Sequence, residues 1–299
     1  MKSGFIGIIG RPNVGKSTLL NAILGEKIAI TTDKPQTTRN SIRGIYTHYA
    51  EDKTQDDVQM IFIDTPGIHK PKNKLGEAMT GMAINTFKEV EVVILIIDDE
   101  LASGPGDKFI LEMLREVKTP IILVINKIDK LGPEKFKRIY EEYAALNKFH
   151  KIFGVSALQG KNVFEVVKEI EGLLSEGPMY FPDDMVTDHP ERFIVSEIIR
   201  EKTLMYLNEE VPHGIAIEIE SYKDMKTITK IGAVIYTEKK SHKGIIIGKD
   251  GKKLKGIGKS ARIEIEALLG TKVYLELWVK VRENWRDSDF ALSNFGYRE

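Results

Sequence analysis

FIGIIGRPNVGKSTLLNAIL, residues Phe5 to Leu24, decides the reading of the first half of the chain. FIGII (Phe5 to Ile9) has the composition of a buried strand, and Lys16 to Leu24 carries a helical pattern. Between them GRPNVGKS, Gly10 to Ser17, fits G-x-x-x-x-G-K-[ST]. A glycine loop that leaves a strand and opens a helix is the setting in which backbone amides close round a phosphate. Gly10 and Gly15 permit that close approach, and the helix N-terminus adds partial positive charge. Lys16 is placed to neutralise the β and γ phosphates and Ser17 to hold Mg²⁺. Asn13, Val14 and Thr18 complete the loop's nucleotide-contacting candidates. The loop alone does not separate ATP from GTP.

Working outward, short apolar runs alternate with helical stretches to about residue 173: MIFID (Met60 to Asp64), VVILII (Val92 to Ile97), IILVIN (Ile121 to Asn126) and IFGVS (Ile152 to Ser156) read as strands. Helices are expected at Gly106 to Val117, Glu134 to Leu146 and Val163 to Leu174. Strands that are apolar throughout argue for an α/β domain with a mostly parallel sheet covered on both faces. Ile42 to Ala50 and Val58 to Asp64 suit an antiparallel hairpin, with the polar insert Glu51 to Asp57 as its tip.

Two later motifs, DTPG and NKID, decide the nucleotide, and SAL adds to them. DTPG, Asp64 to Gly67, ends one strand; Asp64 can bind Mg²⁺ through water, and the Gly67 amide can feel the γ-phosphate. NKID, Asn126 to Asp129, ends another. The Asp129 carboxylate can accept from both N1–H and the 2-amino group of guanine, whereas adenine would leave the acid unpaired. Lys127 can pack over the base, and Asn126 can tie this loop to the phosphate loop. SAL, Ser156, Ala157 and Leu158, can offer a backbone amide to guanine O6. Four motifs in this order, each at a strand's C-terminal end, point to GTP.

Ile30 to Ile42 is polar and contains a proline, as expected of a switch loop in which a Thr reaches Mg²⁺ only when the γ-phosphate is present; the candidate is Thr38, ahead of Thr37. The catalytic candidates are therefore Lys16, Thr38 and Gly67, and the metal candidates Ser17, Thr38 and Asp64. Ile68 stands where a water-orienting Gln follows D-x-x-G in Ras-like proteins, and an aliphatic side chain cannot orient water. Asn13 is similar to a loop Asn that helps place K⁺ in related GTPases, so K⁺-stimulated, intrinsically slow turnover is expected.

Ser175 to Glu191 holds three prolines and no helical period, which marks a linker. The expected organisation is 1–175 nucleotide-binding, 176–191 linker and 192–299 a smaller α+β unit of order α-β-β-α-α-β. Lys plus Arg and Asp plus Glu are 44 each, so the net charge is zero. Yet Lys239 to Arg262 carries nine basic residues against Asp250 alone. Within it Gly248-Lys249-Asp250-Gly251 matches the GXXG loop of KH domains, which clamps the backbone of about four nucleotides. The RNA-binding candidates are Lys243, Gly248, Lys249, Asp250, Gly251, Lys252, Lys253 and Lys255, with Ile245, Ile246, Ile247 and Ile257 expected to form a groove for unstacked bases. Single-stranded RNA with salt-dependent affinity is the expected ligand. Trp278 reads as core or sheet face, and Trp285, Phe290, Phe295 and Tyr297 as a tail that wraps the domain.

No cysteine is present, which excludes disulfides, thiolate metal sites and a cysteine nucleophile. The longest aliphatic run, Val92 to Ile97, is far below the roughly 18 residues needed to span a bilayer, so a cytoplasmic or at most peripheral protein is expected.

GRPNVGKS, QTTR, DTPGIH, NKID, SAL, FIVSEIIREKTL (Phe193 to Leu204), IIIGKDGKKLKGIG and VYLELWVKVRENW (Val273 to Trp285) together resemble the Era family of bacterial ribosome-assembly GTPases over essentially the whole chain. The resemblance implies a P-loop GTPase followed by a type II KH domain; a monomer is expected. It also implies binding to the 3′ end region of 16S rRNA, a role in 30S maturation and peripheral contact with the inner membrane. Two other readings compete: a membrane-associated regulator whose basic segment meets anionic lipid, and an RNA adaptor whose GTPase is a passive scaffold. Lipid binding does not require GXXG, and the intact Lys16, Ser17 and Asp64 argue against the scaffold.

Overall fold

A computed structural model describes residues 1–34, 36–50, 56–102 and 104–298. Backbone contacts divide it into two units. The first comprises Met1–Ala29, Thr38–Lys72 and Gly76–Asp188; the second comprises Ile30–Thr37, Asn73–Leu75 and His189–Glu299.

The first unit is built on six strands: β1 (Lys2–Gly10), β2 (Ile42–His48), β3 (Val58–Asp64), β4 (Val92–Ile97), β5 (Ile121–Ile125) and β6 (Lys151–Gly154). They lie in the order β2-β3-β1-β4-β5-β6. β2 is antiparallel to β3, and every other neighbour pair is parallel. The β2–β3 pairing is the expected hairpin; Glu51 to Gln55 of its tip lie outside the described residues. Helices α1 (Lys16–Leu24), α2 (Lys74–Thr86), α3 (Pro105–Met113), α4 (Pro133–Ala144) and α5 (Val163–Leu173) follow β1, β3, β4, β5 and β6 in turn. All six residues of β4 and all five of β5 are buried, which is why these strands read as unbroken aliphatic runs. Withdrawing each such side chain from water contributes about 1.5–3 kcal/mol.

α2 is the element that the periodicity does not predict. KLGEAMTGMAINT carries Gly76 and Gly81, which weaken a helical signal, yet Leu75, Met79 and Ala83 are buried and hold it in place.

In the second unit β7 (Ala216–Met225), β8 (Ile228–Thr237) and β9 (Lys272–Val281) form a three-stranded sheet, with β7–β8 antiparallel and β8–β9 parallel. Three helices, α6 (Glu191–Met205), α7 (Lys240–Ile247) and α8 (Lys252–Leu269), accompany it. Ile194, Val195, Ile198 and Ile199 of α6, Ala261 and Ile265 of α8, and Ile231 and Ala233 of β8 share one core. The short α9 (Asp289–Asn294) ends the described fold. Trp285 is fully buried and donates its indole N–H to the Gly214 carbonyl at 2.9 Å, with Phe295 and Tyr297 packed on its ring. The tail therefore does wrap the domain, whereas Trp278 lies half-exposed on the sheet.

Candidate functional site

The phosphate loop owes its shape to two glycines in conformations that L side chains rarely adopt, Gly10 at φ 153° and Gly15 at φ 104°. A Cβ on Gly15 would also collide with the Asn126 amide. α1 begins at Gly15 with no side-chain cap and no acidic residue in its first turn. Its first N–H groups are thus left for an anion, and nothing negative on the helix competes. Lys16 is buried and donates to the carbonyls of Arg11 (2.9 Å) and Gly10 (3.3 Å). Burial pushes its ammonium down to about 8, with Asp64 opposing that shift.

Ser17, Thr38 and Asp64 meet below the loop. Ser17 Oγ donates to Asp64 Oδ2 at 2.6 Å and lies 2.8 Å from Thr38 Oγ1. Asp64 is completely buried, its Oδ1 has no hydrogen-bond partner among the described residues, and burial pushes its pKa up to about 6 despite Lys16, Ser17 and Thr38. An orphaned carboxylate oxygen beside two hydroxyls is a hard-oxygen set suited to Mg²⁺. Of the two candidate threonines, Thr38 is the one at this point; Thr37 Oγ1 instead donates to the Lys34 carbonyl at 2.6 Å.

DTPG runs so close to the phosphate loop that a Cβ on Gly67 would lie 2.7 Å from the Pro12 backbone. Ile68 turns inward, 1% exposed, into the core beside Leu95 and Ile97. No group at that position reaches toward a nucleotide.

The base-selecting residues also converge. Asn126 donates to the Val14 carbonyl at 2.8 Å and accepts from the Ala157 amide at 3.0 Å, which ties three motifs together. Ser156 Oγ donates to Asp129 Oδ1 at 2.6 Å. Lys127 donates to the Asn13 carbonyl at 2.7 Å and to Asp98 at 2.9 Å. Leu158 is 78% exposed, so only its backbone serves the site. The candidates Gly10 to Thr18, Asn126, Lys127, Asp129 and Ser156 to Leu158 all lie at the C-terminal edge of the parallel strands.

Sequence reasoning missed Asp98 and its partner Arg11. Arg11 pairs with Asp98 (2.9 Å), Glu100 (2.6 Å) and buried Asp107 (2.9 Å), while Asp98 also holds Lys127. The available signal was position: Asp98 directly follows β4 at the same sheet edge.

In the second unit Gly248 (φ 73°), Asp250 (φ 54°) and Gly251 (φ 72°) form the tight connection between α7 and α8. A Cβ on Gly248 would approach Lys253 Cβ at 2.7 Å. Lys243, Lys249, Lys252 and Lys255 are exposed, Asp250 is exposed with them, and Lys253 is partly buried. One expectation is corrected here. Ile246 and Ile257 are completely buried in the domain core, because α7 and α8 turn them toward Ile235 and Val279. A groove lies instead between α8 and β9, lined by Leu254, Lys255, Gly258, Lys259, Arg262, Leu275 and Leu277. Its lining combines aliphatic Leu254, Leu275 and Leu277 with basic Lys255, Lys259 and Arg262, a composition compatible with both bases and phosphates.

A family model described as 50S ribosome-binding GTPase matches residues 5–127, and a KH-domain model matches 210–286. GTPase Era of Alkaliphilus oremlandii is 57% identical over 298 residues, 99% of each chain. GTPase Era of Clostridioides difficile is 56% identical over 301 residues, covering 100% of this chain and 99% of that one. This chain belongs to the Era family of GTPases. A crystal structure of Era with MgGDPNP and nucleotides 1506–1542 of 16S ribosomal RNA superposes with a TM-score of 0.94 at 42% identity, each chain covered completely. An Aquifex aeolicus Era variant bound to GDP·AlF4⁻ gives 0.94 at 41%, again with full coverage. The P-loop and KH fold classes expected from the Era-like motifs are thus the ones found. Among the described residues no helix is long and apolar enough to cross a membrane.

Proposed function

We propose that this chain binds and hydrolyses GTP and, gated by the nucleotide, binds single-stranded RNA at the 3′ end region of 16S rRNA during 30S assembly. The observation that carries the proposal is the meeting of Ser17, Thr38 and Asp64 beneath an uncapped helix N-terminus. Relatives solved with MgGDPNP and 16S rRNA support the choice of ligands.

Bound there, Mg²⁺ would draw negative charge off the phosphates. Ser17 and Thr38 would hold it, and Asp64 would act through water. The loop amides and Lys16 orient the β and γ phosphates, Gly67 presents its backbone N–H, and Asp129, aligned by Ser156, selects guanine. Thr38 has a role only while the γ-phosphate is present, so cleavage frees the switch. With Ile68 turned away, Asn13 would help hold a K⁺ whose charge would offset that developing on the phosphates, and intrinsic turnover is slow. The Lys249–Lys255 segment grips phosphates while bases enter the α8–β9 groove. The protein works as a cytoplasmic monomer with peripheral contact at the inner membrane.

Crosslinking followed by mapping of the bound RNA, with GDPNP and with GDP, tests the whole reading. Crosslinks at the 16S 3′ end that depend on GDPNP support it; nucleotide-independent or scattered crosslinks refute it.

A further inference from the structure

α6 carries an anomaly for an amphipathic helix: Glu197, Arg200, Glu201 and Thr203 are all buried. Buried charges persist only when paired and hydrogen-bonded. Glu197 grips Arg200 in a fork, at 2.8 Å to Nε and 2.5 Å to a terminal nitrogen. That same terminal nitrogen, Nη2, also donates to the Thr37 carbonyl, and Nη1 donates to the Gln36 carbonyl at 3.3 Å. Glu201 accepts the Thr31 amide at 2.9 Å, and Lys34 donates to Asn208 at 3.1 Å. All of these contacts lie inside the second unit, which includes Ile30–Thr37. Three of them read the backbone of the switch loop, so they fix its path whatever its side chains. Gln36 takes the left-handed conformation (φ 58°) that presents successive carbonyls to one guanidinium. Thr38 is the next residue after this grip.

We propose that Arg200, oriented by Glu197, is a positioning residue for GTP hydrolysis: it fixes the chain at Gln36–Thr37 and so decides whether Thr38 Oγ1 stands beside Ser17 and Asp64. The inference rests on the nucleotide-gated reading above. It also names a route by which RNA is felt, because Lys202, next along α6, pairs with both Glu201 and Glu264 of α8. α8 is the helix whose first turn carries Lys252 and Lys253.

The test uses the full chain, with fluorescent GDP and GDPNP binding and single-turnover hydrolysis for wild type, R200M/E197M and R200K. The double variant removes both charges together, so no carboxylate stays buried alone. R200K keeps the charge and loses the planar fork. In R200M/E197M, GDPNP affinity and the hydrolysis rate should each fall about tenfold or more, with GDP affinity within about twofold of wild type and R200K between the two. Equal losses for GDP and GDPNP, or no loss, overturn the proposal. If the double variant does not fold, R200K carries the same test: a loss confined to GDPNP supports it, and an equal loss refutes it. Nucleotides 1506–1542 of 16S rRNA should tighten GDPNP binding in wild type but not in the double variant; equal tightening in both overturns the proposal. A wild type that binds no GTP, or on which this RNA has no effect, instead defeats the functional reading beneath it.

Discussion

Ser156 Oγ donates a 2.6 Å hydrogen bond to Asp129 Oδ1, so the carboxylate proposed to select the base is held by a fully buried hydroxyl. A carboxylate fixed in this way keeps its other lone pairs for two adjacent N–H donors, which guanine has and adenine lacks. D129N should lower GTP affinity by about a hundredfold or more and shift preference toward xanthine nucleotides. S156A should give a smaller loss, about three- to tenfold, with guanine preference retained. Competition binding with GTP, XTP and ATP checks both; unchanged GTP selectivity in D129N would falsify the base assignment.

Asp64 predicts a pH dependence. Burial raises its pKa from 3.8 to about 6, so between those values the fold favours the protonated carboxyl. Its effect on stability is therefore nil below 3.8, grows unfavourable as pH rises to about 6, and is constant above that. A divalent cation held beside this carboxylate through water would reverse the preference and favour the ionised form. The Mg²⁺-dependent gain in GDP affinity should therefore shrink as pH falls below about 6, and D64N should flatten the profile. Titrations with Mg²⁺ and with EDTA, in both proteins, give the result. A wild-type gain that is constant from about pH 5 to 8 counts against the assignment.

Ile68 tests whether the missing glutamine is a simple vacancy. Its side chain is 1% exposed and packed in the core, so I68Q buries an amide where a water-orienting group is wanted elsewhere. We expect a loss of about 1–3 kcal/mol of stability and no gain in hydrolysis. Hydrolysis of wild type in KCl should exceed that in NaCl; equal rates remove the role given to K⁺, and a faster I68Q removes the structural account.

Lys249 occupies the exposed turn of the GKDG loop, far in sequence from every nucleotide candidate. K249D should abolish RNA binding at moderate salt while leaving GTP affinity within about twofold. The milder K249A should weaken RNA binding and reduce the slope of log K against log salt by about one. Filter binding across a salt series reads the slope, and wild-type RNA affinity in K249D would place the interface elsewhere.

The parallel strands were legible because both of their faces are covered, which leaves runs such as VVILII with no alternative reading. The nucleotide candidates other than Thr38 could be placed in the fold because their motifs follow strand ends. Ile246 and Ile257 were misassigned to a groove because an apolar residue beside a glycine loop looks the same whether it faces core or ligand. The α8–β9 groove draws Leu275 and Leu277 from a strand distant in sequence. Arg200 was hidden for the converse reason: a charged residue on a helix reads as solvated until the pairing that buries it is seen. Contacts made through backbone atoms, such as those at Gln36 and Thr37, leave no trace in residue type.

The exposed lysines of the α7–α8 turn have a practical consequence in a chain whose charges sum to zero. Isoelectric focusing would report an unremarkable neutral protein, with a pI near 7.0. Heparin or a cation exchanger, which samples one patch of surface at a time, would retain it like a basic one. Its chromatography is thus set by the location of its charge, and a K249D preparation should elute earlier from such a column without any change in fold.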